Sequence, residues 1–138
     1  MVNNVDKYMK EALKEAKKAY KKDEVPVGAV IVKGDKIIAR GHNLRETKQD
    51  VLAHAEIICI HRACKKLNNW RLEGCTMYVT LYPCNMCIGA IKQSRMDMVY
   101  YGAKDDKTDS YDDSITYYNE NKECSEILKD FFKKLRRK

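Results

Sequence analysis

A chain of 138 residues can bury a core of its own, so 1–138 reads as one domain that needs no disulfides to fold. Hydrophobic residues at 44% and charged residues at 34% fit a globular protein, and no apolar run is long enough to span a bilayer. The N-terminus carries acids and lacks the apolar core of a secretory signal, which points to the cytoplasm. The net charge of +7 suits an anionic partner such as RNA, although solvated helix faces would explain it equally well.

Val5, Tyr8, Met9, Ala12, Leu13, Ala16 and Tyr20 recur at three- and four-residue spacing, which predicts an amphipathic helix over 4–22. Pro26 cannot continue it. Val27 to Val32 is apolar and β-branched, Lys33-Gly34-Asp35 is a turn, and Lys36 to Arg40 is the returning strand. Gly41 to Asp50 reads as a polar loop. Helical spacing returns from Ala53 to Leu67 and ends at Asn68-Asn69, and Thr76 to Leu81 is a strand. Pro83 suits the first position of a helix reaching about Ser94. Met98 to Tyr101 is a strand, and Cys124 to Arg137 is a closing helix. The acidic, tyrosine-rich stretch Lys104 to Glu123 is expected to be a loop with a short helix. Helices alternating with strands call for an α/β domain whose central sheet is mostly parallel.

Six cysteines without a signal read as thiols or metal ligands rather than as a disulfide framework. Cys84 and Cys87 form the one C-x-x-C. Cys59, Cys64, Cys75 and Cys124 read as small buried hydrophobes. His42 and His61 read as solvated.

The chemistry concentrates in His54-Ala55-Glu56 and Pro83-Cys84-Asn85-Met86-Cys87. Cys84 and Cys87 share one face at a helix start, and His54 heads another helix. One imidazole and two thiolates can hold a zinc ion with its fourth position open, where water becomes a nucleophile. Glu56 is not needed as a ligand and is placed to move that water's proton. The order H-x-E…P-C-x-x-C is the signature of hydrolytic deamination of a base. A structural zinc site is the competing reading, and it would need a fourth ligand such as Cys59 or Cys75. Asn43, at a strand end, reads from spacing alone as a turn residue.

At these residues the chain resembles the cytidine/deoxycytidylate deaminase superfamily, and within it the bacterial tRNA-specific adenosine deaminases. The similar stretches are EVPVGAVIV, GHNLRET, AHAEI, RLEGCTMYVTL, PCNMCIGAI, VYYGAKDDKT and CSEILKDFFKKLR. The resemblance implies a three-layer α/β/α fold with a mixed sheet of four or five strands. It implies a homodimer, one Zn2+ per subunit, and conversion of a tRNA wobble adenosine to inosine. It assigns His54, Cys84 and Cys87 as ligands and Glu56 as proton shuttle. It raises Asn43 to a base or ribose contact, and adds the backbone near Ala55 and the Val27-Gly28 segment as pocket lining.

Three departures from that branch matter. Tyr82 stands where its members usually carry Glu. The run Asp109-Ser110-Tyr111-Asp112-Asp113-Ser114 replaces a glycine-containing one and resembles a segment of small bacterial guanine deaminases. The link to the last helix is shorter, so a fifth strand is either missing or reduced to something like Ile115 to Tyr118. A second function therefore stays open: deamination of a free nucleobase or nucleoside, guanine before cytosine, with Asp112 or Asp113 accepting from the purine. A zinc-stapled RNA-binding module without turnover is a third.

Overall fold

The computed structural model describes residues 4–108 and 110–137; Asp109 and Lys138, named above, lie outside them. The elements are α1 (Asn4–Lys21), β1 (Gly28–Lys33), β2 (Lys36–His42), α2 (Arg45–Lys48), α3 (Ala55–Leu67), β3 (Cys75–Val79), α4 (Asn85–Gln93), β4 (Met98–Tyr101), β5 (Thr116–Tyr118) and α5 (Lys122–Arg136). None of the described helices is long and apolar enough to cross a membrane.

The strands form one sheet in the order β2-β1-β3-β4-β5. β1 is antiparallel to both β2 and β3, whereas β3–β4 and β4–β5 are parallel. The expectation of a mostly parallel sheet is therefore corrected to a mixed one. The turn at Gly34, which has φ +62, accounts for the antiparallel β1–β2 pair, but the antiparallel β1–β3 pair follows from the place of β1 between β2 and β3 in the sheet. The mixed sheet is the one the family resemblance implied.

Two glycines show how the layers close. A Cβ on Gly28 would lie 2.2 Å from the Ala12 carbonyl oxygen of α1, and one on Gly41 would lie 2.6 Å from the Ala55 carbonyl oxygen of α3. Gly28 pairs across the sheet with His42, the residue after Gly41. Because side chains alternate along a strand, α1 and α3 cover opposite faces. The buried stripe Tyr8, Met9, Ala12, Leu13, Ala16 and Ala19 of α1 packs on the first face, and α5 joins it there with Cys124, Leu128 and Phe131 buried. α3 and α4 pack beside each other on the second face.

The stretch after β4 departs from expectation. Among the described residues of 104–121 there is no helix; the chain turns and forms the three-residue strand β5. Tyrosines account for this. Tyr117 packs on Tyr100 with ring centroids 5.6 Å apart, and Tyr100 stacks on Tyr78 at 5.3 Å. On the other face Tyr118 stacks on Tyr101 at 5.3 Å. Aromatic cross-strand pairs favour strand over helix. The reduced fifth strand is the one anticipated near Ile115 to Tyr118. A feature with no periodic signal, the one-turn helix α2, is held by the buried Glu24 carboxylate, which accepts from the Glu46 and Thr47 amides at 3.1 and 2.6 Å.

Candidate metal and catalytic site

Two helix starts meet at the site. His54 is the N-cap of α3 and Cys84 the N-cap of α4, both with extended backbone. N-caps are commonly Ser, Thr, Asp or Asn, whose side chains bond the first-turn amides. Neither His54 nor Cys84 makes such a bond, so imidazole and sulfur are free to turn toward one another. Pro83 is thus not the first helical residue but the one before the cap, since Cys84 has to keep the extended backbone that follows it.

The His54 Nδ1 lies 3.7 Å from the Sγ of Cys84 and 3.7 Å from the Sγ of Cys87. All three donor atoms are within 4.8 Å of one another, so they could hold one metal ion. Cys87 sits three residues into α4 beyond its cap and is buried, while Cys84 is exposed. A hydrogen bond from the Cys87 thiol, with the Cys87 and Met86 amides and the His54 ring nearby, brings Cys84 down to about 5 against an opposing effect of burial. The same pairing with Cys84, together with burial, pushes Cys87 up. The two sulfurs are thereby coupled, and a bound dication would favour the thiolate form of both.

Glu56 is in the first turn of α3 and only 4% exposed. Burial pushes its carboxyl up to about 7, with the Cys84 charge adding to the rise; its own amide and the Cys87 thiol pull the other way. A carboxyl balanced near neutrality can both take and give a proton.

The remaining expected residues fall into two groups. Asn43 directly follows β2: its amide donates to Val27 O at 3.1 Å, and the Leu44 amide next to it donates to O of Ala53, two residues ahead of α3, at 2.9 Å. Asn43 is 9% exposed, and its side-chain amide has no hydrogen bond among the described residues. Ala55 is buried as the first residue of α3, where first-turn N–H groups lack helical partners. Val27 is joined to Asn43 through its carbonyl, and the Gly28 amide donates to Thr80 Oγ1 at 3.1 Å. Gly28 is glycine because α1 presses on it.

Asp112 and Asp113 are placed differently. The Asp112 carboxylate is paired with Lys92 of α4, and its Oδ1 accepts from the Ser114 amide at 3.1 Å. These partners hold its carboxyl down at about 2, Lys92 foremost. Asp113 is exposed. The expected solvated His42 is a correction: it is buried, with Nδ1 3.0 Å from Glu15 Oε1 and Nε2 2.9 Å from Lys22 Nζ, because the α1 face covers the end of β2. His61 is exposed as expected, and the six cysteines are free thiols. Sequence reasoning did not find the partner of Tyr82, whose hydroxyl accepts from the Asp112 amide at 2.8 Å. Only the joint departure of both segments from the family pattern hinted at that contact.

The tRNA-specific adenosine deaminase of Bacillus subtilis is 49% identical over 145 residues, covering 95% of this chain and 90% of that protein. A structure from work on A-to-I editing by tRNA:A34 deaminases at the wobble position superposes with a TM-score of 0.83 at 39% identity, covering 89% of this chain and 99% of that one. Guanine deaminase from Bacillus subtilis superposes with a TM-score of 0.70 at 32% identity, covering 100% and 96%. The resemblance drawn from the motifs is thus upheld in sequence and in fold. With the sequence model of MafB19-like deaminases matching residues 3–136, the chain belongs to that deaminase family.

Proposed function

We propose that this chain is a zinc-dependent hydrolase that deaminates the wobble adenosine of a tRNA anticodon loop to inosine. The observation that carries the reading is the meeting of His54, Cys84 and Cys87 beside a buried Glu56. The donor set fits zinc: bond lengths of about 2.0 Å to nitrogen and ~2.3 Å to sulfur put tetrahedral donors roughly 3.5 Å apart. The observed separations of 3.7 Å are close to that.

Zinc bound by these three residues supplies a Lewis acid that makes water acidic at neutral pH. Glu56 takes one proton from water as its oxygen bonds to C6, and passes that proton to a ring nitrogen of the purine. It then takes the second proton from the hydroxyl now on C6 and gives it to the amine, so that the C–N bond breaks, ammonia leaves and the C6 carbonyl of inosine forms. Asn43 binds the base or ribose through its unoccupied side-chain amide, and the Ala55 amide and the Val27 segment line the pocket. Adenosine must be unstacked to reach Glu56, which favours a loop nucleotide. The basic chain tracks the RNA phosphates, with Lys17, Lys18, Lys21 and Lys22 near one end and Lys133, Lys134, Arg136 and Arg137 near the other. The protein works in the cytoplasm as a homodimer; Val51 and Leu52, 71% and 52% exposed just ahead of His54, offer apolar ground for a second copy.

A second reading, deamination of free guanine, is favoured by the Tyr111-Asp112-Asp113 run and by the likeness to a guanine deaminase. The engagement of Asp112 with Lys92 and Ser114 counts against it, because that carboxylate is not free to accept from a purine. Lys92 also offsets the repulsion Asp112 would exert on RNA. Ammonia release is to be measured on an anticodon stem-loop RNA with adenine at the wobble position, and in parallel on guanine, cytosine and cytidine. Inosine in the RNA alone is expected. Xanthine without inosine would move the assignment to guanine. Silence on the whole panel from metal-loaded protein would leave a zinc-stapled binding module.

A further inference from the structure

The helix that presents two of the three metal donors is thinly anchored. α4 has nine residues, and of these only Cys87 and Ile91 are buried. A helix this short has little stability of its own. Its ends are held from outside. The Tyr82 amide donates to Ala103 O at 3.0 Å, and Ser94, just past the helix, accepts from the Leu72 amide at 2.7 Å.

Between these backbone ties lies a side-chain connection that the proposed chemistry does not use. Asp112 binds both flanks of α4. Its amide donates to the hydroxyl of Tyr82, two residues before Cys84, and its carboxylate pairs with Lys92 in the last turn. The Asp112 turn is itself firm: Ser114 donates to its carboxylate, and Thr116 Oγ1 donates to its carbonyl. The Tyr82 ring is buried edge-on against Tyr101 and Tyr111, with centroids 5.0 and 4.5 Å away.

We infer that Tyr82, Asp112 and Lys92 form a brace that fixes α4, and with it Cys84 and Cys87, relative to His54. They are positioning residues. The two departures from the family pattern, at position 82 and at 109–114, are then one device. The inference rests on the metal reading above. Movement of the first turn of α4 away from α3 would part the two sulfurs from His54 and loosen their hold on the ion, and the brace opposes that movement.

The test is the rate at which zinc passes from the loaded protein to a strong chelator at 25 °C, with global stability measured in parallel by urea. Tyr82→Phe removes the acceptor of the Asp112 amide, and Asp112→Asn and Lys92→Met each remove the ion pair. Each variant is expected to release zinc about five- to tenfold faster. The double variant Lys92→Met/Asp112→Asn is expected to match the singles, since both break one pair. Unchanged release in all variants overturns the brace. So does acceleration no larger than the loss of global stability explains. An unsubstituted protein that takes up no zinc overturns both the brace and the metal reading, whereas equal retention across variants overturns the brace alone.

Discussion

The imidazole of His54 and the thiol of Cys87 stand 3.7 Å apart, Nδ1 to Sγ, across 33 residues of chain. Each is delivered by the start of a helix, and the two helices lie side by side on one face of the sheet. The donor triangle is therefore a product of helix packing, and the carboxylate proposed as proton shuttle comes with it because Glu56 is in the first turn of α3.

Glu56→Gln should separate metal binding from turnover. The amide keeps the size of the side chain, so zinc content by elemental analysis is expected to stay at one per chain. Inosine formation is expected to fall about 10²–10⁴-fold, the usual contribution of a general acid–base. Lost zinc with preserved turnover would contradict the roles given to His54, Cys84, Cys87 and Glu56.

Asn43→Ala tests substrate recognition. The side chain makes no internal hydrogen bond among the described residues, so its loss should leave the urea midpoint nearly unchanged. A hydrogen bond to substrate lost from a mostly buried position is expected to lower kcat/KM roughly 10- to 100-fold. Equal activity of the variant on the stem-loop RNA would remove Asn43 from the pocket.

Gly41→Ala probes the seating of α3. The added methyl group would meet the Ala55 carbonyl oxygen at 2.6 Å, a backbone atom that cannot swing aside. Overpacking of this kind costs about 1–3 kcal/mol. Because Ala55 lies between His54 and Glu56, activity is expected to fall further than stability does. Urea unfolding and steady-state kinetics on the same preparation would show the two effects.

Glu24 carries a pH dependence of stability. Burial alone would raise its carboxyl, but the Thr47 hydroxyl and the Thr47 and Glu46 amides outweigh this and hold it below its ordinary 4.5. A folded value below the unfolded one stabilises the protein above the unfolded value, and that stability is lost as pH falls through the folded value. Glu24→Gln is therefore expected to cost about 1–3 kcal/mol at neutral pH. The gap should narrow as the pH falls below the ordinary 4.5 and through the lowered folded value, where the native carboxylate is protonated as well. Urea titrations of both proteins at neutral and acid pH check this, and a gap independent of pH would show that the ionised form of Glu24 does not anchor α2.

Much of the molecule was legible in the chain itself. Periodicity located α1, α3 and α5, the β-branched run located β1, and the order of His54, Glu56, Cys84 and Cys87 announced the chemistry, because spacing along a helix or strand fixes which side chains share a face. Tertiary structure alone decided the rest. It set the direction of the strands, since pairing partners are chosen by the whole sheet and not by local pattern. It turned 116–118 into a strand by stacking tyrosines from distant elements, and it buried His42 beneath α1. It also tied the Asp112 carboxylate to Lys92 and its amide to Tyr82, 20 and 30 residues earlier. Contacts across such separations leave no period in a sequence, so only the folded chain could show them.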